Sequence, residues 1–210
     1  TAFLVDVPAA ELAGVRHDTE GIVGDVLAPL RPTVTSTAVS RMRRTSDGKR
    51  LGYLATTDDL HRRATLTSGR WPTSAGEAVV PDPAASRLGV DVGDRTTLGR
   101  EVGTEPAEVP VTVTIVGTFR PTSRTGLPGD PLNGRGYDVS YTDGAVTAPA
   151  AGPFVVDDET FAASGSNVAS LQVTAAPRMS LASESSMTRV ADDLGSADAL
   201  LGAKLRGRVQ

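Results

Sequence analysis

Four stretches between residues 69 and 119 decide the fold of this chain. Residues 69–72 read Gly-Arg-Trp-Pro, residues 76–81 read Gly-Glu-Ala-Val-Val-Pro, residues 88–95 read Leu-Gly-Val-Asp-Val-Gly-Asp-Arg, and residues 111–119 read Val-Thr-Val-Thr-Ile-Val-Gly-Thr-Phe. Apolar residues alternate with polar ones in the last stretch, which predicts a half-buried strand. The second stretch predicts a shorter strand, and the Gly-Asp pair of the third predicts a tight turn before another.

A helix of two turns or less is predicted between residues 82 and 89. Asp82 offers an N-cap oxygen, Pro83 suits the first helical position, and Gly89 can adopt the left-handed conformation that ends a helix. The same order recurs near the end of the chain, where Asp157 follows a short strand and Gly165 follows a short helix. Both helices are therefore expected to begin at an aspartate cap and end at a glycine.

The segment before residue 67 predicts a helix followed by a strand pair. Residues 8–30 carry apolar side chains at helical spacing. Residues 33–43 alternate as a half-buried strand does, the turn at 46–49 is polar, and residues 50–56 predict the return strand. The segment is thus an α–β–β unit.

The basic run from Arg41 to Arg44 has two interpretations. Its arginines could contact phosphates or lipid headgroups, or they could form the solvated face of a strand, where charge discourages edge pairing. In the alternation of residues 33–43, Arg41 and Arg43 share the polar face. The solvated face is therefore the favoured interpretation.

The segment after residue 120 predicts a long loop and then a β–α unit. Glycines and prolines punctuate residues 121–152, which predicts mostly loop, and a loop of that length is usually functional or disordered. Residues 168–174 predict a strand, and a final helix starts at Ser180 or Ser183 and is interrupted at Gly195. The inward residues of the strand are Ala169, Leu171 and Val173. The apolar residues of the helix are Leu181, Met187, Val190, Ala191 and Leu194.

These elements predict an α+β fold with a discontinuous outer lobe. Residues 1–66 and 154–210 cannot each close a core, so we expect them to pair in space. Residues 67–153 then form an inserted β-rich lobe. With 4% aromatic residues, the core must be aliphatic, and the single tryptophan, Trp71, is expected to pack where the chain enters the insert.

Composition excludes several classes of protein. The net charge of −4 argues against a nucleic-acid binder, and the absence of cysteine excludes a disulfide framework, a thiolate metal site and a cysteine nucleophile. No apolar run reaches the roughly 18 residues of a membrane span, and no signal-peptide pattern opens the chain. The chain is expected to be a piece of a longer protein.

No catalytic, cofactor or metal site is predicted. His17 and His61 are expected on the solvated surface, and two isolated histidines without cysteine do not suggest a zinc site. No Gly-x-Ser-x-Gly motif is present. The paired carboxylates have a structural explanation at a helix N-terminus or on a solvated helix face. They are Asp58 with Asp59, Asp157 with Asp158 and Glu159, and Asp192 with Asp193.

The four opening stretches, within this layout, resemble the extracytoplasmic core domain of FtsX-like, MacB-like permeases of ABC transporters, in the form typical of actinobacteria. The combination of Gly-Arg-Trp-Pro at 69–72 with Leu-Gly-Val-x-Val-Gly-Asp at 88–94 carries the resemblance. Phe154-Val155-Val156-Asp157 and the later helix fit it loosely, and residues 121–138 depart from it. The resemblance implies a discontinuous porter-like lobe with an inserted β-rich lobe.

The resemblance also implies a mechanical function outside the membrane. It implies a cell-membrane protein whose partners are a cytoplasmic ABC ATPase subunit, a second permease copy or homologue, and an extracytoplasmic substrate or partner protein of unknown identity. The chain would not be an enzyme. A partner surface is expected on the β-rich insert and the 121–152 loop, because loops on rigid scaffolds carry binding.

Two other classes remain open. The chain could be a secreted or surface hydrolase with dispersed acidic catalysts, which a secretion signal without a second membrane span would favour. It could also be an adhesion or structural module, for which tandem copies would be typical; no convincing internal repeat is seen.

Overall fold

The computed structural model is an α+β fold, as predicted. The structure describes residues 7–46, 48–103, 109–122, 132, 139–143 and 146–205. The helices are α1 Leu12–Val26, α2 Leu60–Arg63, α3 Asp82–Leu88, α4 Asp158–Ala163 and α5 Glu184–Leu205. The strands are β1 Val7–Pro8, β2 Thr33–Ser40, β3 Arg43–Thr45, β4 Leu51–Gly52, β5 Leu54–Thr57, β6 Ala64–Gly69, β7 Glu77–Pro81, β8 Arg95–Glu101, β9 Val111–Pro121, β10 Val139–Asp143, β11 Val146–Ala150, β12 Phe154–Val155 and β13 Asn167–Ala176.

The strands form one sheet whose pairing closes into a ring. The order is β1-β13-β2-β5-β12-β7-β9-β8-β3-β4-β11-β10, and β6 pairs with β9 outside this order. Only Tyr53 separates β4 from β5, so these two are one strand, which pairs with β3 on one side and with β12 on the other. The path from β5 through β12, β7, β9, β8 and β3 therefore returns to β4 and encloses a small barrel.

Apolar side chains from the ring fill the barrel. Val113, Ile115 and Leu98 are buried, and so is Phe154 from the opposite side. A Cβ atom on Gly52 would lie 2.9 Å from both Leu98 and Phe154, so the interior leaves no room for a side chain there. The same cluster continues under α1 and α4 through Leu12, Val15 and Phe161. The barrel and the helical layer thus share one core.

The barrel takes strands from both predicted segments of the chain. β3 and β4 belong to the first segment, and they pair with β8 and β11 of the predicted insert. β6 spans the predicted boundary at residue 67 and pairs with β9. The division into two lobes stays a prediction, and the strand pairing joins the two segments within one sheet.

Several predictions that depend on neighbouring residues are confirmed. α1 lies within the predicted helix, Val111, Val113 and Ile115 are buried on one face of β9, and Gly89 ends α3 at φ 68°. The prediction that Phe119 shares this face is wrong: the register between β7 and β9 shifts after Ile115, so Phe119 is buried on the other face, in a cluster with Val79. Asp157 caps α4 by accepting a hydrogen bond from the Thr160 amide at 2.6 Å. Trp71 is half-buried and packs on Phe119, with ring centroids 6.2 Å apart.

The helix predictions are wrong at two positions. Asp82 does not cap α3, because its carboxylate accepts from Thr67 Oγ1 at 2.5 Å and from Arg120 Nε at 2.7 Å. Gly195 does not interrupt α5, since one glycine costs a helix only about 1 kcal/mol and packing against α1 offsets that.

One loop prediction and one strand prediction are also wrong. Residues 139–143 and 146–150 are not loop, because β10 and β11 pair in antiparallel register, with Val139 opposite Ala150 and Asp143 opposite Val146. The rest of the predicted 121–152 loop lies mostly outside the described residues. In β13, a bulge between Val168 and Ser170 shifts the alternation, so the buried side chains include Val168, while Ala169 is only half-buried.

Candidate functional site

Arg16 joins two of the sequence's carboxylates. Its Nη1 lies 2.6 Å from Asp158 Oδ2 and 3.4 Å from Asp58 Oδ1, and its side chain is 10% exposed. Asp58 also accepts from the amide and hydroxyl of Ser36, both at 3.0 Å, and Asp158 accepts from Thr56 at 2.5 Å. These oxygens are engaged in bonds that hold α1 and α4 to β2 and β5. Asp58 lies before α2 rather than on a helix face, and it is not simply solvated as predicted.

The histidines contribute to the surface. His17 and His61 are both exposed, as predicted. His61 packs its ring edge-on against Trp71, with centroids 4.8 Å apart and an interplanar angle of 70°. Within the described residues, no three His, Cys, Asp or Glu side chains come together as metal ligands would.

A hydrogen-bonded turn follows β6 at the Gly-Arg-Trp-Pro stretch. Arg70 Nη1 donates to Glu77 Oε2 at 2.7 Å, and Nη2 donates to Oε1 of the same carboxylate. The amides of Thr73 and Ser74 donate to Glu77 Oε2 at 2.9 and 3.2 Å. The hydrogen bond from Arg70 is the main reason that the pKa of Glu77 is lowered to about 2, and the Thr73 amide adds to it.

We expect this turn to lose stability in acid. A carboxylate whose pKa is lowered in the folded state stabilises the fold above its ordinary pKa, here 4.5, and this contribution is lost as the pH falls towards 2. Replacing Arg70 by glutamine should raise the pKa of Glu77 towards its ordinary value. A pH titration of the Glu77 carboxyl carbon by NMR measures this, and an unchanged midpoint in Arg70→Gln would contradict the assigned cause.

A charged pair lies buried where the barrel meets the helical layer. Arg43 pairs in register with Gly52 and with Glu101, so these residues share a face of the sheet, and that face is the barrel interior. The side chains of Arg43 and Glu101 are both 0% exposed, with Nε 3.9 Å from Oε1. The prediction that Arg43 is solvated is wrong, because β2 ends at Ser40 and the alternation does not continue through Arg41 and Met42.

Hydrogen bonds satisfy both members of this pair. Arg43 donates to Ser166 Oγ at 3.0 Å and to three backbone carbonyls. These are Gly99 at 2.8 Å, Val109 at 2.8 Å and Ser164 at 3.1 Å. Glu101 accepts from the amide and the side-chain nitrogen of Asn167, both at 2.9 Å. Burial lowers the pKa of Arg43, and the charge of Glu101 opposes that shift. The network ties β3 and β8 to the α4–β13 connection.

Most of the exposed large apolar side chains of the described residues lie on α5 and the turn before it. Five of the seven exposed large apolar side chains occur there: Met179, Leu181, Met187, Leu194 and Leu200. Val190 and Ala197 are buried on a neighbouring face of α5, and Ala197 packs against Ile22 and Val26 of α1. The apolar surface of α5 therefore extends beyond the part that packs against α1.

Met187, Ala191 and Leu194 form a continuous exposed row, which we call the α5 surface. Residues seven apart on a helix lie within about 20° of each other, so Met187 and Leu194 share a face. Their side chains are 45% and 56% exposed, and Ala191 between them is also exposed. The sequence predicts apolar residues on this helix but not that Met187, Ala191 and Leu194 face solvent, and it predicts a partner surface on the β-rich insert instead.

Among known proteins, no family model and no curated protein matches this chain. Among the helices that the structure describes, none is both long and apolar enough to cross a bilayer.

Proposed function

We propose that this chain is the extracytoplasmic domain of an ABC-transporter permease of the FtsX/MacB type, and that it is not an enzyme. The observation that carries the proposal is the order of the four stretches from Gly69 to Phe119 within an α+β layout. In the structure the first stretch follows β6, the second and fourth form β7 and most of β9, and the third joins α3 to β8. The strands β7, β9 and β8 are consecutive members of the barrel ring.

A rigid connection between barrel and helices supports a mechanical function. The Arg43–Glu101 network and the shared apolar core join the ring to α1 and α4. A body held together in this way transmits a displacement from one side to the other without internal rearrangement. Motion that the cytoplasmic ATPase produces in the membrane helices of the full-length protein would therefore move the whole described fold.

The α5 surface supports a contact between this domain and a second permease subunit. An exposed apolar row on a helix suits a second helix laid along it. We assign this surface to the extracytoplasmic domain of the second permease subunit, whether a copy or a homologue. The carboxylates that a hydrolase would need are less well placed, since Asp58 and Asp158 already accept hydrogen bonds from Ser36, Thr56 and Arg16.

Purification of the full-length natural protein tests the proposal. A tagged full-length protein should be found in the membrane fraction and should retain an ABC ATPase subunit after detergent extraction, as identified by mass spectrometry. Recovery from the culture medium as a released protein with hydrolase activity would contradict the proposal and support the alternative class. As a matched control, the same tag on an unrelated membrane protein should not retain the ATPase.

A further inference from the structure

A polar cavity lies beside the stretch that reads Leu-Gly-Val-Asp-Val-Gly-Asp-Arg at 88–95. It has a volume of about 270 Å³ and lies between the β3–β4 turn, the C-terminal end of α3 and the start of β8. Protein sites for small molecules measure roughly 300–1,000 Å³, so this cavity suits a ligand at the small end of that range. The proposed function makes no use of it.

Two arginines give the cavity unoccupied hydrogen-bond donors. Arg50 is half-buried and donates from Nη1 to the Leu88 carbonyl at 3.2 Å, which leaves Nε and Nη2 without a partner among the described residues. Arg95 is an exposed lining residue and makes no hydrogen bond or ion pair with any residue that the structure describes. Ser46 and Thr96 add hydroxyl groups to the lining.

The remaining lining sets the charge and polarity of a ligand. Among the described lining residues, Asp94 is the one acidic side chain, and its Oδ2 is already engaged by the Asp91 amide at 2.8 Å. These described residues therefore contribute two arginines and one aspartate, an excess of one positive charge in a chain whose net charge is −4. Leu88 and Val90 provide an apolar wall. The Leu88 carbonyl at the end of α3, which would repel an anion, accepts a hydrogen bond from Arg50.

We propose that this cavity binds a small organic anion through Arg50 and Arg95. Guanidinium groups bind carboxylate and phosphate oxygens with two parallel hydrogen bonds, and two arginines that line the same cavity suit an anionic group of this kind. The apolar wall suits a short carbon skeleton attached to it. The tight turn at Gly93-Asp94 brings Arg95 to the cavity, which gives this sequence motif a binding role in addition to its structural one.

NMR titration tests this proposal. The ¹⁵N-labelled chain is titrated with inorganic phosphate and, separately, with succinate, and the amide shifts are followed. Amide shifts should concentrate at Gly89, Val90, Arg95 and Thr96 for at least one of the two anions, and the anion that binds more tightly identifies the ligand group. Arg95→Gln, a change at an exposed side chain, should weaken binding by about tenfold, the value of one charged hydrogen bond. No localised shift with either anion would overturn the proposal.

Matched variants keep the test specific. Arg62 is exposed on α2, away from the cavity, so Arg62→Gln removes the same charge and should leave binding unchanged. An equal loss in both variants would show that the anion responds only to net charge, and this would overturn the proposal. Asp94→Asn keeps an oxygen for the Asp91 amide and removes a repelling charge, so binding should tighten. Weaker binding in Asp94→Asn would contradict an anionic ligand.

Discussion

Replacing Arg43 by methionine is expected to lower the free energy of unfolding by about 3–5 kcal/mol. Methionine fills much of the space but leaves the Glu101 carboxylate buried without its counter-charge, and it also removes donors from three backbone carbonyls. Urea denaturation followed by far-UV circular dichroism measures the change. Combining Arg43→Met with Glu101→Leu should recover part of the loss, because no charge then remains buried.

The surface pair of Arg120 and Asp82 provides the control for this prediction. Its nitrogen–oxygen distance of 2.7 Å is shorter than the 3.9 Å of the buried pair, but the Arg120 side chain is 74% exposed. Exposed pairs contribute about 0–1 kcal/mol, so Arg120→Met should cost much less than Arg43→Met. Similar losses in the two variants would contradict the view that burial, rather than distance, makes the Arg43 network important.

Replacing Gly69 by alanine is expected to lower the free energy of unfolding by about 2–5 kcal/mol. Gly69 has φ 72°, and a Cβ atom there would lie 2.2 Å from the Val116 carbonyl oxygen. It also pairs in register with Gly117, so two glycine backbones approach each other where β6 meets β9. Thermal and urea unfolding of Gly69→Ala measure the loss.

Gly89 separates the two causes of that loss. Its φ of 68° is nearly the same, but nothing lies within 4 Å of the Cβ position. Gly89→Ala should therefore show only the left-handed backbone cost of about 1–2 kcal/mol. Equal losses at both positions would mean that the contact with Val116 adds nothing. This would contradict the view that Gly69 is needed because the backbones of β6 and β9 approach each other closely.

The sequence predicts those features that depend on neighbouring residues. The cap at Asp157 and the left-handed end at Gly89 follow from a few adjacent side chains. Asp82 follows the same local rule and fails, because Thr67 and Arg120 compete for its carboxylate from distant parts of the chain. A local pattern cannot register a competitor that lies nearly 40 residues away.

The features most important for the proposed function depend on tertiary register. Arg43 is buried because β3 restarts the alternation after Arg41 and Met42 and faces Gly52, and neither step is visible in composition or spacing. The apolar residues of α5 are visible in the sequence, but the packing of Ala197 against Ile22 and Val26 of α1, which leaves Leu194 exposed, is not. The sequence does not predict the strand pair β10–β11, because the prolines and glycines around it indicate a loop.

Cross-linking at the α5 surface tests the central claim most directly. The described chain contains no cysteine, so Met187→Cys can be the only thiol of this domain in the full-length permease. In membranes that also contain the ATPase, a benzophenone maleimide attached to this thiol should photocross-link to a second permease chain, whether a copy or a homologue, with a yield that changes between ATP and ADP. Leu200→Cys, exposed on another face of α5, should cross-link poorly in both states. A Met187→Cys protein that is folded and yet never cross-links, or does so equally in every nucleotide state, would contradict the claim that this domain moves against a partner.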